Sequence, residues 1–306
     1  MDINYELYKV FYYVAKTLSF SEASKKLFIS QSAVSQSIKA LEKKLEQPLF
    51  IRNTKRVKMT PEGEILFKHI EPAINLIIRG ENQIMDVKAL GGGQLRIGAS
   101  DTICRYFLVP YLKEFHEHFP NVHIKVTNAT SARCVDLLEN EQVDLVVTNF
   151  PNPRMNTISH IRKVREFHDV FIANEHFSHL KNKRLDLEEL LGYPILMLDK
   201  ASMTSEFLHI LFQQHQLDLV PEIELSSNDL LIDLARIGLG IAFIPEFCLT
   251  EKDSDLFVIH TREILPPRQL IVGYNNNVPI SEAARYFIDS LRSVYKELHA
   301  DRETGC

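Results

Sequence analysis

The sequence predicts two unlike parts joined by a long helix: a small, mainly α, winged helix-turn-helix domain at the amino end and a two-lobed α/β domain behind it. Three observations lead there. Helical apolar spacings fill the first 45 residues and are followed by a short strand-turn-strand. An apolar seam then steps by three and four from Leu66 to Val87 and stops at three glycines, residues 91–93. Beyond residue 94, strand-like runs alternate with helical ones.

Leu7, Val10, Phe11, Val14 and Ala15 recur at helical spacing, and Ser19 or Ser21 can cap a short second helix that presents Ala23 and Leu27. After a brief turn at FIS, Ser30 is a suitable N-cap for a third helix. On it Val34, Ile38, Leu41 and Leu45 form one buried stripe, flanked by the small residues Ala33, Ser37 and Ala40. The remaining face carries Gln31, Ser32, Ser35, Gln36 and Lys39, all able to hydrogen-bond. Amides and hydroxyls on a helix suit base edges in a major groove, and Lys39 suits a phosphate or guanine. With Ser30 and Ala33 at its head, this face is the expected DNA-reading set. PLFIRNTKRVKMT follows as a strand-turn-strand whose Arg52, Lys55, Arg56 and Lys58 read as a basic wing on the backbone or minor groove.

Charge agrees with that division. The net charge is −5, yet residues 1–70 hold ten Lys and two Arg against seven Asp and Glu. A basic end on an acidic chain points to a polyanionic partner for that end alone.

Thr60, Pro61 and Glu62 open the connecting helix with a hydroxyl cap, proline in the first turn and acid at the positive dipole end. Its seam, Leu66, Ile70, Ala73, Ile77, Gly80, Ile84 and Val87, is expected to pair two chains; Pro72 is expected to bend or locally break the helix. LRIGAS, HIKVTN and VDLVVT then alternate with helical runs, and ILML, SEFLHILFQQH and LLIDLARIGLGIAFIP repeat the order, so two similar lobes are expected. PPRQLIVGY returns the chain to the first lobe, and AARYFIDSLRSVY closes it.

The pattern Leu7, Phe11, Val14, Ser19-Phe20, Ala23, Leu27, SQSAVSQSIKALE, Leu49-Phe50, Arg52, Val57 to Thr60 and Gly63 resembles the amino-terminal domain of LysR-type transcriptional regulators. Ser32 stands where that family commonly has proline, Ser24 where it has the second alanine of a pair, and Glu46 where it has glycine. The rear domain resembles the family's effector-binding domain, itself similar to periplasmic solute-binding proteins. The resemblance implies a small-molecule effector between the lobes and a homodimer or a tetramer built as two dimers. Such a dimer would bind an interrupted inverted repeat in double-stranded DNA.

By position, the effector-binding set is Ser100, Asp101, Thr102, Thr130, Ser131, Thr148, Asn149 and Asn228, at carboxyl ends of strands and at helix starts. Donors of that kind suit an anion, or a zwitterion if Asp101 meets an amino group. The expected domains are 1–59 (winged helix-turn-helix), 60–90 (linker and dimerisation helix), 91–94 (hinge) and 95–306 (effector domain). Lobe I covers about 95–161 and 268–306, and lobe II about 162–267.

No cofactor is implied. His116, His118 and His123, or His176 and His179, lack metalloprotease spacing, and no GxSxG, Walker or GxGxxG motif is present. An enzyme using the two-lobed cleft and a ligand-independent architectural DNA-binding protein are the rival classes; the second leaves the rear domain without a use. Four cysteines without a CxxC pair read as reduced thiols, and no apolar run approaches a membrane span, so a cytoplasmic protein is expected.

Overall fold

The computed structural model describes residues 3–53, 56–88, 93–158, 160–275 and 278–291. It divides into two compact units, with the break after Lys88. Each is taken by itself.

In the first unit α1 (Tyr5–Thr17), α2 (Phe20–Leu27) and α3 (Gln31–Leu45) start on side-chain caps. Asn4 accepts from the Glu6 amide, Ser19 from Glu22 and Ser30 from Ala33. Each helix ends on a left-handed residue that is not glycine: Leu18, Phe28 and Glu46 have φ of 48°, 55° and 54°. Val10, Phe11, Val14, Phe20, Ala23, Val34, Ile38, Leu41, Leu49 and Phe50 form the core, and the rings of Phe11 and Phe20 lie 5.5 and 5.9 Å from that of Phe50. The wing is an antiparallel pair, β1 (Phe50–Asn53) and β2 (Arg56–Met59). Glu42 ties it to α3 by accepting from the amides of Leu49 and Phe50 at 2.9 and 3.3 Å.

The long helix α4 (Pro61–Lys88) starts on Thr60, whose Oγ1 accepts from the Gly63 amide at 3.0 Å. It shows no break at Pro72. One ladder bond is lost there, while Ile70 packs on the core before it and Ile74 is buried after it. The seam divides in two. Leu66 and Ile70 are partly buried against their own domain's core, because the first turns of α4 complete that core. Ala73, Ile77 and Ile84 remain exposed, as do Ile65, Leu76 and Ile78. The side chain of Val87 and hinge residues 91 and 92 lie outside the described residues.

In the second unit each lobe is built on its own sheet. The first contains β3 (Gly93–Ala99), β4 (Val122–Asn128), β5 (Leu145–Phe150), β6 (His160–Phe167) and β13 (Arg268–Tyr274) in the order β4-β3-β5-β13-β6. β3 runs parallel to β4 and β5, while β13 is antiparallel to β5 and β6. Its helices are the short α5 (Asp101–Ile103), continued by a π turn (Cys104–Leu108) into α6 (Val109–His118), then α7 (Ser131–Glu139) and α11, residues 282–291.

The second sheet has the order β10-β9-β11-β7-β12-β8. Its strands are β7 (Asp169–Asn174), β8 (Arg184–Leu185), β9 (Ile195–Leu198), β10 (Ile223–Leu225), β11 (Ile241–Pro245) and β12 (Leu256–Thr261). With it go α8 (Leu187–Leu190), α9 (Met203–Gln214) and α10 (Asn228–Arg236). The expected lobe boundary at residue 161/162 is therefore displaced. Residues 160–167 form β6, paired along their length with β13 in the first sheet, and the chain crosses at His168. Hydrogen bonds, not local hydrophobicity, decide where that strand belongs.

Candidate functional site

On α3 the two faces separate as the spacing predicts. Val34, Ile38 and Leu41 have no exposed surface. Opposite them Gln31, Ser32, Gln36 and Lys39 are exposed, and Ser35 and Ala33 are half-buried. Ala40, expected within a helix-packing stripe, is exposed as well. The Ser30 and Ser32 hydroxyls meet at 2.8 Å, so Ser32 supports the cap from the second helical position, where proline would also fit. The turn before α3 adds a surface that the periodicity did not single out: Phe28 is 94% exposed, because its left-handed backbone turns the side chain away from the core. Lys58 is exposed on β2. Lys55 and the side chains of Arg52 and Arg56 lie outside the described residues.

In the rear unit Ser100, Asp101, Thr102, Thr130, Ser131, Asn149 and Asn228 line one cavity of about 290 Å³ between the lobes. Thr148 does not. It is fully buried, because neighbouring residues of β5 face opposite sides of the sheet and Asn149 takes the cavity side. Asn128, Leu198, Asp199, Ser202, Met203, Thr204, Pro245 and Phe247 are also in the wall. Ser202 and Thr204 follow β9 and open α9.

Most of the polar groups here have assigned tasks. Ser100 Oγ accepts from the Ile103 amide at 3.3 Å, and Asp101 accepts from Asn128 Nδ2 at 3.3 Å. Asn228 Nδ2 donates to Thr102 Oγ1 at 2.9 Å, a bond from the second lobe to the first. The Oδ1 atoms of Asn149 and Asn228 are buried and unpartnered. Asp101 and Asp199 are the charged residues of the wall; among the described residues no Lys, Arg or His lines it. Besides the one-turn α5 at Asp101, three longer helices begin at the cavity, α7 at Ser131, α9 at Met203 and α10 at Asn228, so their amide ends supply positive potential without a basic side chain. Cys104 lies beside it; burial and then the charge of Asp101 push its thiol up to about 11, while burial pushes Cys134 up to about 12. Both stay protonated thiols near neutral pH.

Residues 88–296 match the family described as “LysR substrate binding domain”, and residues 5–64 match “Bacterial regulatory helix-turn-helix protein, lysR family”. The chain belongs to the LysR family. As a LysR-type protein it is a DNA-binding transcriptional regulator with an effector-binding domain. It is 27% identical over 286 residues to the HTH-type transcriptional activator CmpR of Synechocystis, covering 93% of each chain. It is 28% identical over 290 residues to a probable RuBisCO transcriptional regulator of Cyanophora paradoxa, covering 92% of this chain and 89% of that protein.

Among solved structures of LysR-type regulators, a full-length OxyR variant from Pseudomonas aeruginosa is similar at a TM-score of 0.71 and 17% identity, with 96% of each chain covered. CbnR complexed with its target DNA is similar at 0.64 and 16%, covering 95% of this chain and 99% of that one. The Synechocystis CcmR regulatory domain in complex with 2-PG is similar at 0.60 and 22%, covering 66% of this chain and 97% of that one. Among the described residues, no helix is long and apolar enough to cross a membrane.

Proposed function

We propose that this LysR-type regulator acts in the cytoplasm and reads DNA with Gln31, Ser32, Ser35, Gln36 and Lys39 of α3, while Arg52, Arg56 and Lys58 of the wing hold the phosphate backbone. Two chains pair through the exposed face of α4 that carries Ala73, Ile77 and Ile84, and dimers combine into a tetramer. A small anionic or zwitterionic effector lies among Ser100, Thr102, Thr130, Ser131, Asn149 and Asn228. The inter-lobe cavity serves as a binding site, its wall offering hydroxyls, amides and two carboxylates as hydrogen-bonding groups.

The observation that carries this reading is the division of α3. A fully buried apolar face fixes the helix, leaving an exposed amide and hydroxyl face that ends in lysines, Lys39 and one turn later Lys43. The DNA complex of CbnR and the 2-PG complex of CcmR support the two halves of the assignment. The test is fluorescence anisotropy on a duplex carrying the preferred site and on a random duplex. Gln36→Ala should cost about 1–3 kcal/mol on the first and little on the second. Equal losses on both would remove base reading from this helix.

A further inference from the structure

The cavity holds no basic side chain, yet a cation is buried directly behind its wall. Arg268 opens β13 in the first lobe and is 2% exposed. Its guanidinium lies 5.4 Å from the ring centre of Phe167 and 5.1 Å from that of Phe207. Nη1 donates to Asp169 Oδ2 at 2.7 Å and to Thr204 Oγ1 at 3.0 Å. Asp169 opens β7 and Thr204 lies in the first turn of α9, so one arginine from the first lobe holds two groups of the second. A buried ion pair of this kind is often no more stabilising than an apolar replacement, which makes its partner Thr204 the informative contact.

Thr204 is 3% exposed and lines the cavity. Its oxygen accepts from Arg268, and among the described residues no acceptor takes its hydroxyl hydrogen. A hydroxyl held in that way offers a proton, and the neighbouring guanidinium strengthens it as a donor. Asn228, 4% exposed, lines the same cavity with Oδ1 unpartnered, so the space is provided with polar groups that no protein atom uses.

We propose that Thr204 donates to an anionic oxygen of the effector, a carboxylate or phosphate oxygen, and that Arg268 is the positioning residue that fixes this hydroxyl as a donor and extends its charge through it. The assignment rests on the reading of the cavity as the effector site. It explains how an anion is recognised where the charged residues of the wall are Asp101 and Asp199: the cation is kept one hydroxyl away, clamped by Asp169, Phe167 and Phe207.

The test is calorimetry on the full chain with glycolate, inorganic phosphate and the neutral analogue glycolamide. Variants are Thr204→Val, Thr204→Ser, the apolar replacement Arg268→Met with Asp169→Leu, and the cavity controls Ser100→Ala and Thr102→Ala. The parent should bind one or both anions more tightly than glycolamide, and the anion preferred identifies the ligand oxygen. Thr204→Val and the double variant should each weaken that anion about tenfold or more and leave glycolamide nearly unchanged, while Thr204→Ser retains parental binding. A parent that binds neither anion, or equal losses for anion and amide, overturns the proposal. If the cavity controls weaken the anion and Thr204→Val does not, the role of Thr204 and Arg268 falls and the cavity reading stands. If none of these substitutions changes anion binding, both fall together.

Discussion

Gly63 sits three residues after the Thr60 cap, where α4 leaves the wing. A Cβ built there would lie 2.3 Å from the Leu49 carbonyl oxygen and 3.2 Å from its carbon, both backbone atoms. The first distance is roughly 1 Å short of ordinary contact, so the chain must move. Three hydrogen bonds hold the two segments in place. The Thr60 amide donates to Leu49 O at 3.0 Å, Thr60 Oγ1 donates to Pro48 O at 2.8 Å, and Gly63 N donates to Thr60 Oγ1 at 3.0 Å. Losing two or three of them costs about 1 kcal/mol each and overpacking adds about 1–3 kcal/mol, while replacing glycine by alanine within a helix returns about 1 kcal/mol. The net loss for Gly63→Ala is about 2–5 kcal/mol, which corresponds to amide exchange roughly 30-fold faster or more through residues 47–64. Hydrogen exchange followed by mass spectrometry on the full chain reads this segment separately from the rear unit. Unchanged protection there would refute the close approach of α4 to Leu49.

Glu46 closes α3 with φ of 54°, a conformation that glycine adopts without steric cost; Glu46→Gly should stabilise the first unit by about 0.5–1 kcal/mol, read as slower exchange through residues 31–50. Placing a charge on the exposed face of α4 with Ile77→Glu should dissociate the dimer and abolish tight operator binding, and parental behaviour in sedimentation would discard α4 as the pairing face. Arg56→Ala should reduce the salt dependence of DNA binding by about one phosphate contact, and an unchanged slope would remove Arg56 from the backbone-holding set.

The amino-terminal unit was legible residue by residue because local signals coincide there. Ser19, Ser30 and Thr60 are the caps, and Val34, Ile38 and Leu41 the buried stripe, as capping chemistry and the helical period require. Glu46 shows why the family's glycine belongs where it does: the helix ends in a left-handed residue whatever its side chain. On α4 an apolar period alone does not say whether a residue faces a second chain or its own core, and Leu66 and Ile70 face their own core.

The rear unit was legible as two α/β lobes and less so in detail. Edge strand β6 reads HIRKVREF, with charges interrupting its alternation, so its membership in the first sheet follows only from its pairing with β13. Seven of the eight expected effector residues meet at one cavity, because strand ends and helix starts in both lobes converge there. Thr148 fails by the parity of one strand position. Arg268 was invisible to the same reasoning: its partners Asp169 and Thr204 are 99 and 64 residues away, and only the fold brings them together.

The most direct test of DNA reading by α3 is selection of duplexes from a randomised pool by the full chain and by its Gln36→Ala variant. The parent should enrich an interrupted inverted repeat whose half-sites lie about 34 Å, or a multiple of that distance, apart. The variant should enrich the same spacing with relaxed preference at one position of each half-site. An unenriched pool from the parent, or the same sequence recovered in full by Gln36→Ala, would contradict it.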